Sequence, residues 1–274
     1  MSERSNSTAV SAPALSVIVI TKNEAQRLPL CLASVAFADE IVVVDSGSTD
    51  GTQQIARDHG AKVIAATDWP GFGPQKQRAL DAACGTWVLS LDADEWLDDE
   101  LASAIRVATQ RPIDGNAATG YETTRISAFC GQWMRASGWY PDRGVRLFRR
   151  GNARFSDDLV HERLIVEGAI GRLPGLLLHD SIPSLASAID KMNRYSSGRA
   201  RDLLARGRRG GLARAIGHGL WAFIRTYVLK RGFLDGRLGF VLAVHNGETS
   251  YYRYLKMWLD DTAARRPLPH PRVR

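Results

Sequence analysis

The sequence predicts an α/β fold in which a mostly parallel sheet is sandwiched by helices and is followed by a helical C-terminal region. Short apolar runs alternate with helical patterns through the first hundred residues. These runs are almost continuously apolar, which is typical of parallel strands covered on both faces. With 274 residues, 45% of them hydrophobic, the chain is long enough for one large domain and a smaller appendage.

Four runs rich in β-branched residues predict the strands of the first half. Each is followed by a helical pattern; the first helix carries Pro29 in its first turn, where proline is tolerated. The second helix, "TQQIARDHG", closes at Gly60, and a Gly/Pro loop opens the third. The predicted strands are 15–20, 41–44, 62–66 and 87–91.

Beyond residue 101 the pattern becomes less regular. Further strands are predicted in "TGYETTRISAF", "VRLFRR", "RLIVEG" and "LPGLLLHD", separated by Trp- and Gly-rich loops. From Ser184 onward the pattern is helical. The first 13 residues are polar with no apolar core, so we expect a disordered tail rather than a signal peptide.

Charge and cysteine content narrow the classes of function. A net charge of +7 favours anionic partners, namely nucleic acid, acidic lipid or phosphorylated substrates. The three cysteines, Cys31, Cys84 and Cys130, are widely spaced and suggest neither a disulfide framework nor a zinc site, which fits a reducing cytosol. No apolar stretch reaches the roughly 18 residues of a membrane span.

Acidic residues are concentrated where the fourth strand ends, in "LDADEW". The side chains of Asp92 and Asp94 are expected to share one cavity, and such a pair repels itself unless a cation is present. Magnesium and manganese prefer oxygen ligands and often bridge carboxylates to a substrate diphosphate. The alternative is a solvated turn that caps the next helix, and we assign Glu95, Asp98 and Asp99 to that helix start. Polar loops after the first and second strands favour a ligand site here, because such loops meet at one edge of a parallel sheet.

Three segments carry a resemblance to a known family: "LSVIVITKNEAQRLPLCLASV", "EIVVVDSGSTDGTQQIA" and "GFGPQKQRALDAACGTWVLSLDADEWL". Together they resemble the N-terminal half of family 2 glycosyltransferases, which have the Rossmann-like GT-A fold. More narrowly, they resemble the bacterial β-1,4-glucosyltransferases of the lipopolysaccharide inner core. The implied domains are a disordered tail (1–13), a GT-A catalytic domain (14–183), a helical, basic region (184–262) and a flexible tail (263–274).

The resemblance implies roles for residues at the strand ends. It places Thr21, Asn23 and Glu24 in the nucleotide pocket, has Asp45 accept a hydrogen bond from uracil, and pairs Lys76 with a donor phosphate. It makes Asp94 the direct ligand of Mg²⁺ or Mn²⁺, with Asp92 contacting both metal and ribose, and sets His179 against the metal or diphosphate. Alternatives remain open: Asp45 as a turn residue bonding its own backbone, Lys76 as a solvated helix residue, and His179 as a core histidine.

An inverting transfer also needs a general base within hydrogen-bond reach of the acceptor hydroxyl. The chain has no Glu-Asp pair after the acidic motif of the kind common in family 2, but Val160-His161-Glu162 resembles the motif of the lipopolysaccharide-core group at that place. We therefore expect Glu162 to act as the base, with His161 holding the acceptor or steering the carboxylate. Asp157 and Asp158 are competitors for the role of base.

The segment "GWYPDRGVRLFRR" resembles the family too. The resemblance suggests that Trp139 stacks on a sugar and that Arg146 or Arg149 contacts a phosphate. The alternative is that Arg149 and Arg150 form an exposed basic strand end.

The last third of the chain contains a basic amphipathic helix, 212–228, flanked by arginines and a lysine. Its apolar face is typical of a helix that lies in a membrane interface, although packing on the catalytic domain or on a second subunit would produce the same pattern. The resemblance favours the membrane, because its acceptor is lipid-linked and is made at the inner face of the cytoplasmic membrane. The sequence does not indicate an oligomeric state.

Together with these residues, the resemblance implies a metal-dependent, inverting hexosyltransferase that uses a nucleotide sugar, UDP-glucose, and a heptose of the lipopolysaccharide core or a similar lipid-linked glycan. A cytoplasmic enzyme bound peripherally to the membrane is expected, with no nucleic-acid partner. Two alternatives remain open. A haloacid-dehalogenase-like phosphatase would use Asp92 as nucleophile and Asp94 beside it, but Trp96 stands where Thr or Val is usual. A basic nucleic-acid-binding protein has support from charge alone.

Overall fold

The computed structural model of the chain describes residues 14–110, 118–156 and 163–263. The chain forms two compact units. The first unit comprises the residues up to Arg125 together with Asp142–His179. The second unit comprises Ile126–Pro141 together with the residues from Asp180 onward. The α/β class and the helical C-terminal region are confirmed.

The sheet of the described residues is mixed. Its first four strands in chain order are parallel: β1 (Leu15–Thr21), β2 (Glu40–Asp45), β3 (Lys62–Ala65) and β4 (Trp87–Asp92). They lie in the order β3-β2-β1-β4, and the order continues with β8 (Asp142–Arg149), β6 (Gly120–Phe129), β11 (Ile170–Ile182) and β5 (Glu95–Leu97). The pairs β4–β8, β6–β8 and β11–β5 are antiparallel, so the parallel half stands beside an antiparallel half.

The remaining elements follow the predicted order. The short strands β9 and β10 form a separate hairpin, and β7 pairs with the end of β6. These strands are β7 (Gln132–Trp133), β9 (Ala153–Phe155) and β10 (Leu164–Val166). The helices are α1 (Leu28–Ser34), α2 (Thr52–Asp58), α3 (Phe72–Asp81), α4 (Asp99–Gln110), α5 (Leu185–Ala205), α6 (Leu212–Ile224) and α7 (Gly236–Ala263).

Side chains of the parallel strands alternate between two hydrophobic clusters, as the period of two along a strand requires. Val17 and Val19 of β1 pack with residues of α1, α2 and α4, whereas Ile18 and Ile20 pack with residues of α3. Both faces of this half are therefore covered by helices. Because both faces are buried, the strands are apolar throughout, and this is why they were predictable.

The second unit has its own hydrophobic cluster, which includes Phe129, Met134 and Leu242. A π-helical turn (Arg225–Leu229) and a 3₁₀ turn (Gly232–Asp235) join α6 to α7. α6 approaches α7 closely through glycine: a Cβ on Gly219 would lie 3.2 Å from the carbonyl oxygen of Gly247. No helix in the described part of the chain is long and apolar enough to cross a membrane.

One assignment made from the sequence is wrong. Glu95 does not belong to a helix start: it begins β5, pairs with His179 of β11, and has 0% of its surface exposed. α4 begins at Asp99, and Asp98 accepts a hydrogen bond from the Leu101 N–H (2.8 Å) in the first turn. The capping prediction therefore holds for Asp98 and fails for Glu95, because the intervening residues pair as a strand.

Candidate active site

The ends of the first, second and fourth strands meet at one edge of the sheet. In the strand register Thr21 of β1 lies beside Asp45 of β2, and Ile20 lies beside Asp92 of β4. The polar loops that follow these strands are thereby brought together. The convergence predicted from the sequence is present.

The loop after β1 is tied to the loop after β2. The Asn23 side chain accepts a hydrogen bond from the Thr49 N–H (2.8 Å), and its own N–H donates to Ser48 Oγ (2.8 Å). The Glu24 carboxylate forms an ion pair with Arg27 (2.6 Å). Burial raises the pKa of Glu24 despite the nearby Arg27 guanidinium. Asn23 and Glu24, two of the predicted nucleotide-pocket residues, therefore lie in a loop that hydrogen bonds hold to the loop after β2.

Thr21 stands out because its hydroxyl is buried and has no hydrogen-bond partner among the residues that the structure describes. An unsatisfied buried hydroxyl costs about 1–3 kcal/mol relative to a paired one. Native structures keep few such groups, and a group of this kind is often explained by a ligand. Its place at the end of β1, beside Asp45, is where the nucleotide was expected.

Asp45 is fully buried and is held within its own turn. Its Oδ1 accepts hydrogen bonds from the Ser48 N–H (2.9 Å) and from Gln53 Nε2 (2.7 Å), and the Ser48 hydroxyl bonds its Oδ2. The turn interpretation is thus correct for this carboxylate. A carboxylate oxygen can accept two bonds, so Oδ2 retains a lone pair for a further donor, and the contact with uracil stays a prediction.

Lys76 is buried at 6% exposure and is not a solvated helix residue. Its ammonium lies 2.9 Å from Asp92 Oδ1, and Arg146 Nη2 lies 3.7 Å from Asp92 Oδ2. Burial acts to raise the pKa of Asp92, but the Lys76 and Arg146 charges outweigh it and hold that pKa well below its usual value. Asp92 is therefore ionised at neutral pH and neutralised by cationic side chains; its role toward metal and ribose stays a prediction.

Asp94 lies apart from this pair. Its Oδ2 is 3.4 Å from His179 Nε2 and 3.8 Å from Arg27 Nη1. His179, on the long strand β11, is mostly buried but faces the acidic motif, which favours a site role over that of a core histidine. Asp94 and His179 form the pair of potential metal ligands at the strand ends.

The donor atoms of this pair fit a divalent cation. The separation of 3.4 Å is close to the about 3 Å between neighbouring ligands of an octahedral cation. Within the described ranges no group of three or more His, Cys, Asp or Glu side chains is arranged to hold a metal by itself. A cation at Asp94 and His179 would need further ligands, and a substrate diphosphate supplies oxygens of the kind that Mg²⁺ and Mn²⁺ take.

A cleft of about 290 Å³ adjoins Asp92. Cationic side chains line it, among them Lys76, Arg125 and Arg146, together with Thr123 and Asp142. Burial alone would lower the pKa of Arg125, but the carboxylates of Glu95 and Asp142 raise it above its usual value. Four cationic side chains, with Arg143 as the fourth, and two carboxylates line the cleft, so the lining suits an anionic ligand.

Sequence reasoning missed three members of this site: Arg27, Glu95 and Arg125. Arg27 follows Glu24 by three residues, a spacing at which opposite charges meet on a helix, so a signal existed for that pair. Glu95 and Arg125 are far apart in sequence and meet because β5 and β6 belong to the same sheet. Arg146, suggested as a phosphate contact, does line the cleft.

The other residues suggested from the sequence either lie outside the described residues or contact other side chains of the protein. His161 and Glu162, expected as catalytic residues, lie outside the described residues, as do Asp157 and Asp158. Arg149 lies over the Trp87 ring (5.2 Å). Trp139, suggested to stack on a sugar, packs edge-to-face on Phe129 (centroids 6.0 Å apart) in the hydrophobic cluster of the second unit.

Comparison with known proteins identifies the family. The family model of glycosyl transferase family 2 matches residues 16–163, which include all the strand-end residues named above except His179. The chain belongs to glycosyl transferase family 2. The two alternative functions, a phosphatase and a nucleic-acid-binding protein, gain no support from this comparison.

Relatives of this glycosyltransferase align with it over most of its length. It is 30% identical over 254 residues to the glycosyltransferase RP128 of Rickettsia prowazekii, covering 89% of this chain and 86% of that one. It is 29% identical over 259 residues to a protein of Rhizobium meliloti named lipopolysaccharide core biosynthesis glycosyltransferase LpsC, covering 92% of this chain and 95% of that one. Among solved structures, the mannosyltransferase PcManGT of Pyrobaculum calidifontis, in complex with GDP-Man and Mn²⁺, is 17% identical with a TM-score of 0.45, covering 95% of this chain and 78% of that one.

Proposed function

We propose that this glycosyltransferase is an inverting, metal-dependent enzyme that transfers glucose from UDP-glucose to a heptose of the lipopolysaccharide core or a similar lipid-linked glycan. The observation that carries the proposal is the meeting of an ionised Asp92–Lys76 pair, an Asp94–His179 pair and the unpartnered Thr21 hydroxyl at one sheet edge. The similarity to LpsC supports the choice of acceptor.

The described residues suit the leaving-group side of such a transfer. Negative charge develops on the diphosphate as its bond to the anomeric carbon breaks, and fixed cations stabilise that charge without reorganising. The Lys76 ammonium and the Arg146 guanidinium are held beside Asp92 at the cleft, where they would face the diphosphate. Thr21, Asn23, Glu24 and Asp45 would hold the nucleoside.

On the acceptor side the proposal rests on Glu162. The acceptor hydroxyl attacks the anomeric carbon from the face opposite the diphosphate, so the new C–O bond forms as the bond to the diphosphate oxygen breaks. The Glu162 carboxylate takes the hydroxyl proton, and His161 orients the acceptor or the carboxylate.

The fit of Asp94 and His179 to an octahedral cation supports metal dependence. In the proposal, Asp94 and His179 would hold Mg²⁺ or Mn²⁺, and Asp92 would contact the ion and the ribose. When bound, the ion would neutralise charge on the diphosphate, a contribution of several kcal/mol in other enzymes. Arg27 and Lys76 hold the carboxylates in place from either side.

A donor and acceptor screen tests this proposal directly. The purified enzyme is incubated with Mn²⁺, truncated lipopolysaccharide and one of UDP-glucose, UDP-galactose, UDP-N-acetylglucosamine or GDP-mannose, and products are read by mass spectrometry. We expect one added hexose with UDP-glucose only, and inversion at the anomeric carbon by NMR. Transfer from another donor would remove glucose from the proposal, and retention of configuration would remove the single-displacement mechanism.

We further propose that the enzyme binds the inner face of the cytoplasmic membrane through α6. The helix buries its small residues, Ala215 and Gly219, and exposes large apolar ones. Ile216 is 55% exposed and Leu220 59%. Leu212, Ile216 and Leu220 recur every four residues and so form a continuous apolar stripe on α6; exposed apolar areas of this kind often mark interaction sites. The apolar patch is defined as this stripe together with the exposed apolar residues that follow it in the chain: Leu212, Ile216, Leu220, Trp221, Val228, Leu229, Phe233 and Leu234.

Charge supports an anionic bilayer as the occupant of the apolar patch. No acidic residue lies between Asp202 and Asp235, and Asp235 is itself buried. A basic residue near an anionic bilayer contributes about 1 kcal/mol, so the flanking charges and the patch act together. The basic residues of this segment are Arg206, Arg208, Arg209, Arg214, Arg225, Lys230 and Arg231.

Placing two carboxylates in the patch should release the enzyme from vesicles. For Ile216→Glu with Leu220→Glu we expect about a hundredfold weaker binding to vesicles containing phosphatidylglycerol, because about 3 kcal/mol of apolar burial is lost. Co-sedimentation with the vesicles measures this binding. The control is Leu30→Glu with Val107→Glu, two exposed apolar residues of the first unit, which should bind as the wild type does.

Two results would contradict the membrane proposal. One is unchanged co-sedimentation of the α6 variant. The other is a wild-type dimer, seen by light scattering, that the α6 variant converts to a monomer, because the patch would then be covered by a second copy.

A further inference from the structure

Glu95 is a buried carboxylate at the centre of the site. The mechanism proposed above assigns it no role. Glu95 lies three residues beyond Asp92 and begins β5, and its side chain is fully buried. Transferring an unpaired carboxylate from water into a protein interior is strongly unfavourable. Its partners therefore explain why it is there.

Three donors converge on the two oxygens of Glu95. Oε2 accepts the backbone N–H of Asp92 (3.0 Å). Oε1 accepts Arg125 Nη1 (2.9 Å) and Arg146 Nη2 (2.7 Å). One carboxylate thus holds the acidic turn and two of the three guanidinium groups that line the cleft, those of Arg125 and Arg146.

The two arginines differ in their other partners. Arg125 also forms an ion pair with Asp142 (2.5 Å), so it keeps a carboxylate without Glu95. Arg146 has Asp92 as its other carboxylate neighbour, at 3.7 Å. Without the Glu95 charge, the Arg146 guanidinium would be drawn toward Asp92, whose Oδ1 already holds Lys76.

We infer that Glu95 is a positioning residue of the transfer reaction: it holds the Arg146 guanidinium at the cleft. This inference rests on the proposed function, because Arg146 is taken to stabilise the leaving diphosphate. Glu95 itself contacts neither substrate nor reacting atoms. Its effect passes through Arg146.

A double-mutant cycle tests the inference. Glu95→Gln keeps the shape but cannot neutralise two guanidinium groups, so Arg146 should lose its position. We expect kcat to fall about a hundredfold and the donor KM to change less than threefold, because the interaction acts on charge that develops in the transition state. Arg146→Gln should have a similar effect. The double variant should be no worse than Arg146→Gln within threefold.

Glu122→Gln is the matched control. Glu122 forms an ion pair with Arg172 (3.5 Å) in the same unit and, unlike its neighbour Thr123, does not line the cleft. Its kcat should equal that of the wild type. If Glu95→Gln does not fold, Glu95→Asp takes its place in the cycle, because a carboxylate one methylene shorter cannot reach the same three donors.

Three outcomes would overturn the inference. The Glu95 variant could have the kcat of the wild type, or its change could be confined to the donor KM. The third outcome is a fall of kcat in the double variant equal to the product of the two single falls. Titration with UDP and Mn²⁺ separates this failure from failure of the proposed function. A wild-type enzyme that does not bind UDP would contradict the proposed function. A wild-type enzyme that binds UDP, together with a Glu95 variant of normal kcat, would contradict the positioning role alone.

Discussion

Asp94→Ala is expected to abolish Mn²⁺- or Mg²⁺-dependent binding of UDP and to lower the rate of transfer on the order of a thousandfold. The physical reason is the loss of the carboxylate that, with His179, fits a divalent cation. Charge neutralisation by such a cation contributes several kcal/mol, which corresponds to a factor of this size. Isothermal titration of UDP with and without the metal measures the binding.

The variant should still fold. Asp94 is partly exposed, and its neighbours Arg27 and His179 lie at 3.8 Å and 3.4 Å, so little stability depends on it. Asp99→Ala is the matched control, because Asp99 is an exposed carboxylate five residues further on in the first turn of α4. UDP binding that is unchanged in Asp94→Ala, or equally reduced in Asp99→Ala, would exclude Asp94 as a metal ligand.

Glu162→Gln is expected to retain UDP binding and to lose transfer by about 10²–10⁴-fold, the usual contribution of a general base. The amide keeps the size of the side chain but cannot accept the acceptor proton. The separation of binding from transfer is the decisive feature of this prediction. Single-turnover transfer, with UDP titration in parallel, measures both.

Asp157→Asn and Asp158→Asn serve as comparisons, since these carboxylates are the competing candidates in the same segment. Each should transfer within threefold of the wild-type rate. If one of them loses transfer while Glu162→Gln remains active, the base is that aspartate. His161→Ala should give a smaller loss than Glu162→Gln, because it is proposed to orient rather than to take the proton.

Most of the fold of the first unit was predictable. Strands β1 to β4 begin and end within one residue of the predicted runs, and α1 to α4 follow at the expected places. Local patterns suffice here because each strand is buried on both faces and each helix begins near a glycine, proline or aspartate. The antiparallel half was less predictable because β5 and β7 have only two or three residues each.

The candidate site was predictable in part. Asp92, Asp94, Thr21 and Asp45 were found because polar loops after parallel strands meet at one edge. Lys76 was recognised by resemblance, and only the structure established that it is buried against Asp92. Glu95 was not predictable: in the structure Glu95 and Leu97 are buried and Trp96 is less so, the alternation of a strand, but in the sequence the charge of Glu95 favours an exposed position. The nearby Asp98 and Asp99 made a helix start the simpler interpretation.

By itself, therefore, the sequence determined the order of strands and helices, the glycosyltransferase family and the acidic motif, because all of these depend on neighbouring residues and on short-range periodicity. Only the tertiary structure decided which charges meet. Glu95, Arg125 and Arg146 lie on β5, β6 and β8, and their contact depends on the order of those strands in the sheet. The physical reason is that a buried carboxylate is tolerated only where distant parts of the chain bring cations to it, and no local pattern records that pairing.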